Sequence, residues 1–296
     1  MMLYHYTSIE ALESILQDTS SDKGLCFWAT RFDCFGDKEE YKLGISSIKR
    51  ILPRLEERIR PDRRISSSFV WEDIKENITL PFPYIVSFTD RFDNEYMWDQ
   101  YGCRGKGVVL GIDDTERIVN KYTEDLFVKG CIYLGDVSDD GLYKELEDEF
   151  YYSSLSVLTG PKKEIAFALL AEYPQLFVAL IGRYLLAYVA PRIKSNVFDR
   201  EKETRAILAP PRGEMESLIL QYEEAFKTML DPESLKEKAK SEKKRVSANG
   251  ETVYYRELYL PGRVLTKLFV RDRSLIESVK TVLLKKGFNN VSIALI

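Results

Sequence analysis

The sequence predicts an α+β fold in a single domain, residues 1–296, built on a mixed or antiparallel sheet with a helical insertion at about 142–190. Three observations predict it. Short segments rich in β-branched and aromatic residues recur along the chain. They alternate irregularly with stretches of helical period, and no internal repeat is present. Apolar residues at 45% and charged residues at 30% of 296 supply ample core and exclude collagen-like, coiled-coil and disordered classes.

The elements follow in order. Leu3–Thr7 alternates and carries two tyrosines, which reads as a strand. Ser8 can cap a helix through Leu16, with Ile9, Leu12, Ile15 and Leu16 on one face. Gly24 is expected to break the chain before a strand at Leu25–Thr30. Phe32–Asp37 reads as a loop and Lys38–Ile59 as a helix ending before Pro61. Tyr84–Asp90 is a strand, Asn94–Tyr101 a short helix, Gly102–Gly107 a cationic glycine loop and Val108–Ile112 a strand. Phe127–Leu134 reads as one further strand. Leu142–Val189 has helical spacing with a break at Gly160–Pro161, and Glu201–Leu208 returns to a strand closed by Pro210–Pro211. Gly213–Met229 reads as a helix. Asp231–Gly250 holds six cations between Lys236 and Arg245, a solvated helix and loop or an electrostatic contact surface. Strands at Thr252–Tyr259, Leu265–Val270 and Asn290–Leu295, with a helix at Ser274–Lys286, complete the chain.

A formal net charge of −4 argues against a nucleic-acid binder that uses its whole surface, and leaves room for a local basic patch. The one histidine, His5, rules out multi-histidine metal sites. The four cysteines form no CxxC pair, so no metal is expected and the thiols read as small buried apolar groups in a reducing cytoplasm. No secretory signal opens the sequence. The apolar run Ile165–Ala190 is interrupted by Glu172, Pro174, Gln175 and Arg183, so no membrane span is expected.

Four clusters carry more polar and aromatic chemistry than a core requires. In Tyr4-His5-Tyr6-Thr7, alternation places His5 and Thr7 on one face, where an imidazole beside a hydroxyl is either structural or a sugar binder. In Phe27–Tyr41, Asp37 can cap a helix and the aromatics can fill a core, but Arg31 and Glu40 are left without such a role. The third cluster joins Ser87 in VSFTD to Trp98 and Tyr101, three apart on one helix face, as core packing or as a wall for a flat ligand. In the fourth, Glu201, Glu203 and Arg205 share a strand face with Ile207. Charges so placed are costly unless paired, so they form either a structural ion pair or a carboxylate aimed at a developing cation.

The stretches LYHYTSIEALESIL, FWATRFDCFGDKEEY, VSFTDRFDNEYMWDQYGCRGKGVVLGID, FDREKETRAIL and the closing VLTKLFVRDRSLIESVKTVLLKKGFNNVSIALI resemble the bacterial domain-of-unknown-function 2971 family. Gly36 stands where that family has asparagine, and Thr204 where tryptophan is frequent. More distantly, LYHYT followed by an amphipathic helix, and Glu201-Lys202-Glu203, resemble the first and last motifs of the ADP-ribosyltransferase superfamily. That resemblance implies an NAD-dependent ADP-ribosyltransferase or NAD glycohydrolase of the toxin or phage-defence type, on the superfamily's fold. It implies His5, Glu201 and Glu203 as catalytic groups, with Glu203 and His5 gripping one ribose. Tyr6, Thr7, Arg31, Ser87, Trp98, Tyr101 and Arg205 would bind NAD, the middle motif being Ser87 or Tyr41. Such chemistry passes through an oxocarbenium-like species and needs a carboxylate, a ribose clamp and an aromatic wall. The competing expectations are a binding module without turnover, holding a nucleotide or phosphorylated ligand with Arg31, Arg104, Lys106 and Arg205, and a nucleic-acid partner.

Overall fold

The computed structural model describes residues 2–19, 22–37, 39–40, 42–48, 82–113, 126–134, 144, 188–208, 242–247 and 249–296. The strands are β1 (Leu3–Thr7), β2 (Leu16–Thr19), β3 (Asp22–Arg31), β4 (Tyr84–Thr89), β5 (Val108–Ile112), β6 (Leu126–Gly130), β7 (Ile132–Leu134), β8 (Ile193–Ser195), β9 (Glu203–Leu208), β10 (Lys243–Val246), β11 (Thr252–Pro261), β12 (Leu265–Val270) and β13 (Ser292–Leu295). Eleven of them form one mixed sheet, whose main path runs β10-β11-β3-β4-β1-β5-β12-β13. Strand β2 joins β3, β9 joins β4, and β6 continues from β9; β7 and β8 pair separately. The β12–β13 pair is parallel, and the other pairs of the large sheet are antiparallel.

Among the described residues, three helices of known bounds support this sheet. Helix α1 (Ile9–Ile15) starts where the Ser8 hydroxyl accepts from the Ala11 amide, and it buries Leu12 and Ile15. Helix α2 (Glu95–Gln100) is capped by the Asn94 side chain, which accepts from the Met97 amide, and buries Met97 and Trp98. Helix α3 (Ile276–Lys285) buries Val279 and Leu283, four apart and therefore on one face. Residues 39–40 and 42–48 are also helical.

The register decides which side chains can meet. Tyr4 lies opposite Thr89, and Thr89 lies opposite Glu203. Opposed residues of antiparallel strands share a face, so Tyr4, Thr89 and Glu203 point to one side and His5 to the other. The His5 side is the main core, where Leu3, Phe27, Phe88 and Leu110 pack with Val279 and Leu283 of α3. The Glu203 side carries two smaller apolar clusters, Tyr6 with Met97, Trp98, Val109 and Phe269, and Phe32 with Ile85 and Ile207. Strand β4 pairs with β9 along its whole length. Its other edge meets β3 at Tyr84 and Ile85 but β1 only at Thr89, so the sheet divides beside Ser87.

Several expectations change. Gly24 does not break β3: it continues the strand between Gln17 and Pro261, and a Cβ there would meet the Leu260 carbonyl oxygen at 3.4 Å, an ordinary contact. Phe127–Leu134 divides into β6 and β7, which belong to different sheets. Glu201 closes a 3-10 segment, Asn196–Glu201, rather than opening β9. Lys243–Arg245 form an edge strand instead of a solvated helix. Cys26 alone among the four thiols is fully buried, and Cys103 is exposed. The helical reading at 142–189, apart from 144 and 188–189, the helix at 213–229, the cations at 236, 238 and 240, and most of the reading at 38–59 lie outside the described residues.

Candidate functional site

The site begins with a chain of buried charges on the Glu203 face of the sheet. Glu203 and Arg205 are two apart on β9, and the Arg205 Nε donates to Glu203 Oε1 at 2.9 Å. Lys194 on β8 donates to Glu203 Oε2 at 2.7 Å and to Glu201 Oε2 at 2.6 Å. Glu40, from the helical residues beyond Asp37, forms an ion pair with Arg205 and stands 4.0 Å from the Lys194 ammonium. At the opposite end the Tyr101 hydroxyl donates to Glu201 Oε1 at 3.0 Å. All five ionic groups are buried, whereas Tyr101 is half exposed.

Backbone geometry makes this convergence possible. Lys202 adopts a left-handed conformation, φ 46°, between the 3-10 segment and β9. Glu201 and Glu203 consequently reach the same ammonium although only Glu203 belongs to the strand. Burial pushes the Glu203 carboxyl up, but Arg205 and Lys194 outweigh it and hold the group down at about 2. At Glu40 burial wins over the same two cations, and its pKa lies above the ordinary value. Burial also pushes the neighbouring Cys131 thiol up to about 12, which keeps it neutral.

A second, open feature adjoins α2. A cleft of about 590 Å³ is lined by Arg104, Lys106, Arg271 and Arg273, with Glu95, Asp99, Asp272 and the edge of Trp98. Arg271 holds Glu95 through two bonds of 2.5 and 2.6 Å and lies over the Trp98 ring. Asp272 is used on the Ser274 amide and hydroxyl. No ion pair joins Arg104, Lys106 or Arg273 to another of the described residues. The loop presenting Arg104 and Lys106 is held in an unusual form, with Cys103 and Arg104 both at positive φ, 53° and 55°. Such residues cost about 1–3 kcal/mol each and persist only where their surroundings enforce them. Here the Gly105 and Gly107 amides both close onto the Gly102 carbonyl, and a Cβ on Gly107 would collide with the Thr7 carbonyl oxygen.

The residues expected to form one site are thus divided. Tyr101, Glu201, Glu203 and Arg205 come together, with exposed Ser87 paired across from Arg205. His5 is on the far face of the sheet, between the Phe27 and Phe88 rings at 5.1 and 5.7 Å, and its Nδ1 donates to the Ser87 carbonyl at 2.9 Å. Thr7 shares that face. The grip of His5 and Glu203 on one ribose is therefore corrected, because the sheet itself stands between them. Tyr6 and Trp98 pack edge to face at 5.3 Å, and the Trp98 indole donates to the Phe92 carbonyl, so Trp98 forms core and not an open wall. Arg31 is engaged by Asp33 at 2.7 Å and Glu242 at 3.2 Å and lies over Tyr254. Lys194, the centre of the ion cluster, was not singled out by sequence reasoning. The alternation Arg192-Ile193-Lys194 after an apolar run was its one signal, and both cations are buried.

Fold and site together define an α+β protein whose sheet carries a buried ion cluster and a cationic cleft. Residues 97–206 match the family model described as Protein of unknown function (DUF2971). The matched segment holds Trp98, Tyr101, Lys194, Glu201, Glu203 and Arg205, while His5, Glu40 and Ser87 lie outside it. No curated protein and no solved structure matches the chain. Among the described residues no helix is long and apolar enough to cross a membrane.

Proposed function

We propose that this chain binds a phosphorylated small molecule of the nucleotide class in the cationic cleft, without cleaving it at Glu203. One observation carries the reading: Arg104, Lys106, Arg271 and Arg273 converge on a single open cleft, the first two on a loop whose backbone is locked. Hydrogen bonds from charged donors contribute about 1.5–3 kcal/mol each, and guanidinium groups match phosphate oxygens two at a time. Glu203 is a poor candidate for a ribose clamp, since both its oxygens are occupied by Lys194 and Arg205 and it is buried.

Calorimetric titration with ADP-ribose, pyrophosphate and adenosine tests the reading. The two phosphorylated compounds are expected to bind, adenosine is not, and Arg104→Glu with Lys106→Glu weakens binding at least tenfold. Equal affinity for adenosine, or no change in the double variant, rejects it. A second reading, NAD cleavage, draws on the hydrogen bond from half-exposed Tyr101 to Glu201, which links one buried carboxylate of the cluster to a residue at the surface. It predicts nicotinamide release from NAD that disappears in Glu201→Gln. Absence of release from the wild-type protein leaves binding alone.

A further inference from the structure

Helix α2 stands between the cationic cleft and the buried ion cluster. Glu95, Trp98 and Asp99 give one of its faces to the cleft. Asn94 and Tyr101, seven residues apart and therefore on one face, turn to the segment Asn196–Glu201. The Asn94 Nδ2 donates to the Arg200 carbonyl at 2.5 Å, and the Tyr101 hydroxyl donates to Glu201 Oε1 at 3.0 Å. The two ends of α2 are thus fastened to consecutive residues of one segment. Lys194 holds the second of these in place at 2.6 Å. Six residues are too few for a helix to be stable by itself, so contacts outside the helix decide where it points. Met97 and Trp98 bury its middle, and the bonds at the two ends set its rotation about that point.

Three cations of the cleft take their positions from α2. The Gly102 amide donates to the Met97 carbonyl at 3.0 Å, and the Gly102 carbonyl accepts from the Gly105 and Gly107 amides at 3.0 and 2.9 Å. A Cβ on Gly102 would lie 2.6 Å from the Trp98 ring, so the loop presenting Arg104 and Lys106 packs directly on the helix. Arg271 follows β12, yet its guanidinium is placed by Glu95 and by the Trp98 ring. We infer that Tyr101 and Glu201 are positioning residues of the cationic cleft: their hydrogen bond fixes α2, and through α2 the three cations, so that the buried cluster regulates affinity for phosphate. Neither residue lines the cleft, and both act on it through the helix. This role rests on the phosphate reading of the cleft and asks for no turnover at the cluster. Linkage makes the effect reciprocal: phosphate bound between Arg104, Lys106 and Arg271 strengthens the Tyr101–Glu201 bond.

Calorimetric titration of pyrophosphate into the full chain, Tyr101→Phe, Glu201→Ala and the double variant tests the inference. Tyr101→Phe is expected to weaken binding about threefold or more, the share of one hydrogen bond. The double variant should bind as weakly as Glu201→Ala alone, since both changes remove the same bond. Tyr101→Phe takes one oxygen from a half-exposed ring, so it reports even if Glu201→Ala folds poorly. Val279→Ala, in the main core, controls for lost stability and should leave affinity unchanged. In protein labelled with carbon-13 at tyrosine Cζ, the resonance missing from Tyr101→Phe belongs to Tyr101, and it should move as pyrophosphate saturates the wild type. Unchanged affinity in Tyr101→Phe, an equal loss in Val279→Ala, or a Tyr101 resonance that stays still at saturation overturns the positioning role and leaves the cleft as a phosphate site. Failure of pyrophosphate to bind the wild-type protein overturns the cleft itself and this role with it.

Discussion

The buried ion cluster makes a quantitative prediction about stability and its pH dependence. In Glu203→Gln, Lys194 and Arg205 keep their positions but lose their shared carboxylate. The native pKa of about 2, against an ordinary 4.5, corresponds to a contribution of ~3 kcal/mol at ~1.4 kcal/mol per pH unit. Removing one partner from a buried pair costs about 3–5 kcal/mol, which agrees. The sign follows from the lowered pKa: the contribution is fully present above 4.5 and is lost as pH falls from there through about 2. Urea unfolding at pH 7, 5 and 3 is the assay. The variant should be less stable than wild type by ~3 kcal/mol at pH 7, and the gap should shrink at pH 3. Glu40→Gln provides the opposing control. Its raised pKa gives a contribution present below 4.5 that disappears as pH rises through the native value, so this variant should lose less stability at pH 7 than Glu203→Gln does. A Glu203→Gln gap under 1 kcal/mol at pH 7, or one that does not change with pH, refutes the reasoning.

Three further outcomes are expected. Gly107→Ala should lower stability by ~2 kcal/mol or more in thermal unfolding, because its Cβ runs into the Thr7 carbonyl and the Gly102 backbone. Glu95→Gln should change stability by under ~1 kcal/mol, since Glu95 is largely exposed, yet should tighten pyrophosphate binding in calorimetry by releasing Arg271. The lone imidazole can be followed by NMR: burial lowers the His5 pKa below 6.5, against a smaller opposing effect of the Ser87 carbonyl. Folding stability should then fall as pH drops below 6.5, until the native pKa is passed, and an unshifted His5 titration would contradict its placement between two phenyl rings.

Local structure was legible wherever chemistry and period agreed. Ser8 and Asn94 cap the helices they were expected to start or precede, and the strand at Val108–Ile112 runs between the expected residues. Gly24 misled because a glycine signals a break only when the backbone needs its freedom, and here the chain is simply extended between two partners. The site was half legible. Alternation grouped Glu203 and Arg205 for the right reason, since residues two apart on a strand share a face. It could not reveal how β1 registers against β4, and that register, not the motif, sends His5 to the opposite side.

Glu201 shows why correct grouping need not have a correct cause. It was placed beside Glu203 by strand alternation, but it belongs to a 3-10 segment and arrives through the left-handed Lys202. A non-glycine residue in that conformation costs ~1–2 kcal/mol, and the exposed Lys202–Asp199 pair returns little of this. The offset comes from Lys194, whose ammonium can bond both carboxylates only while Lys202 holds its turn. The strained turn and the buried cluster are thus one structural unit. That unit joins the Tyr101 edge to Glu40, so the charge that reaches Glu40 is set by bonds made at the other end.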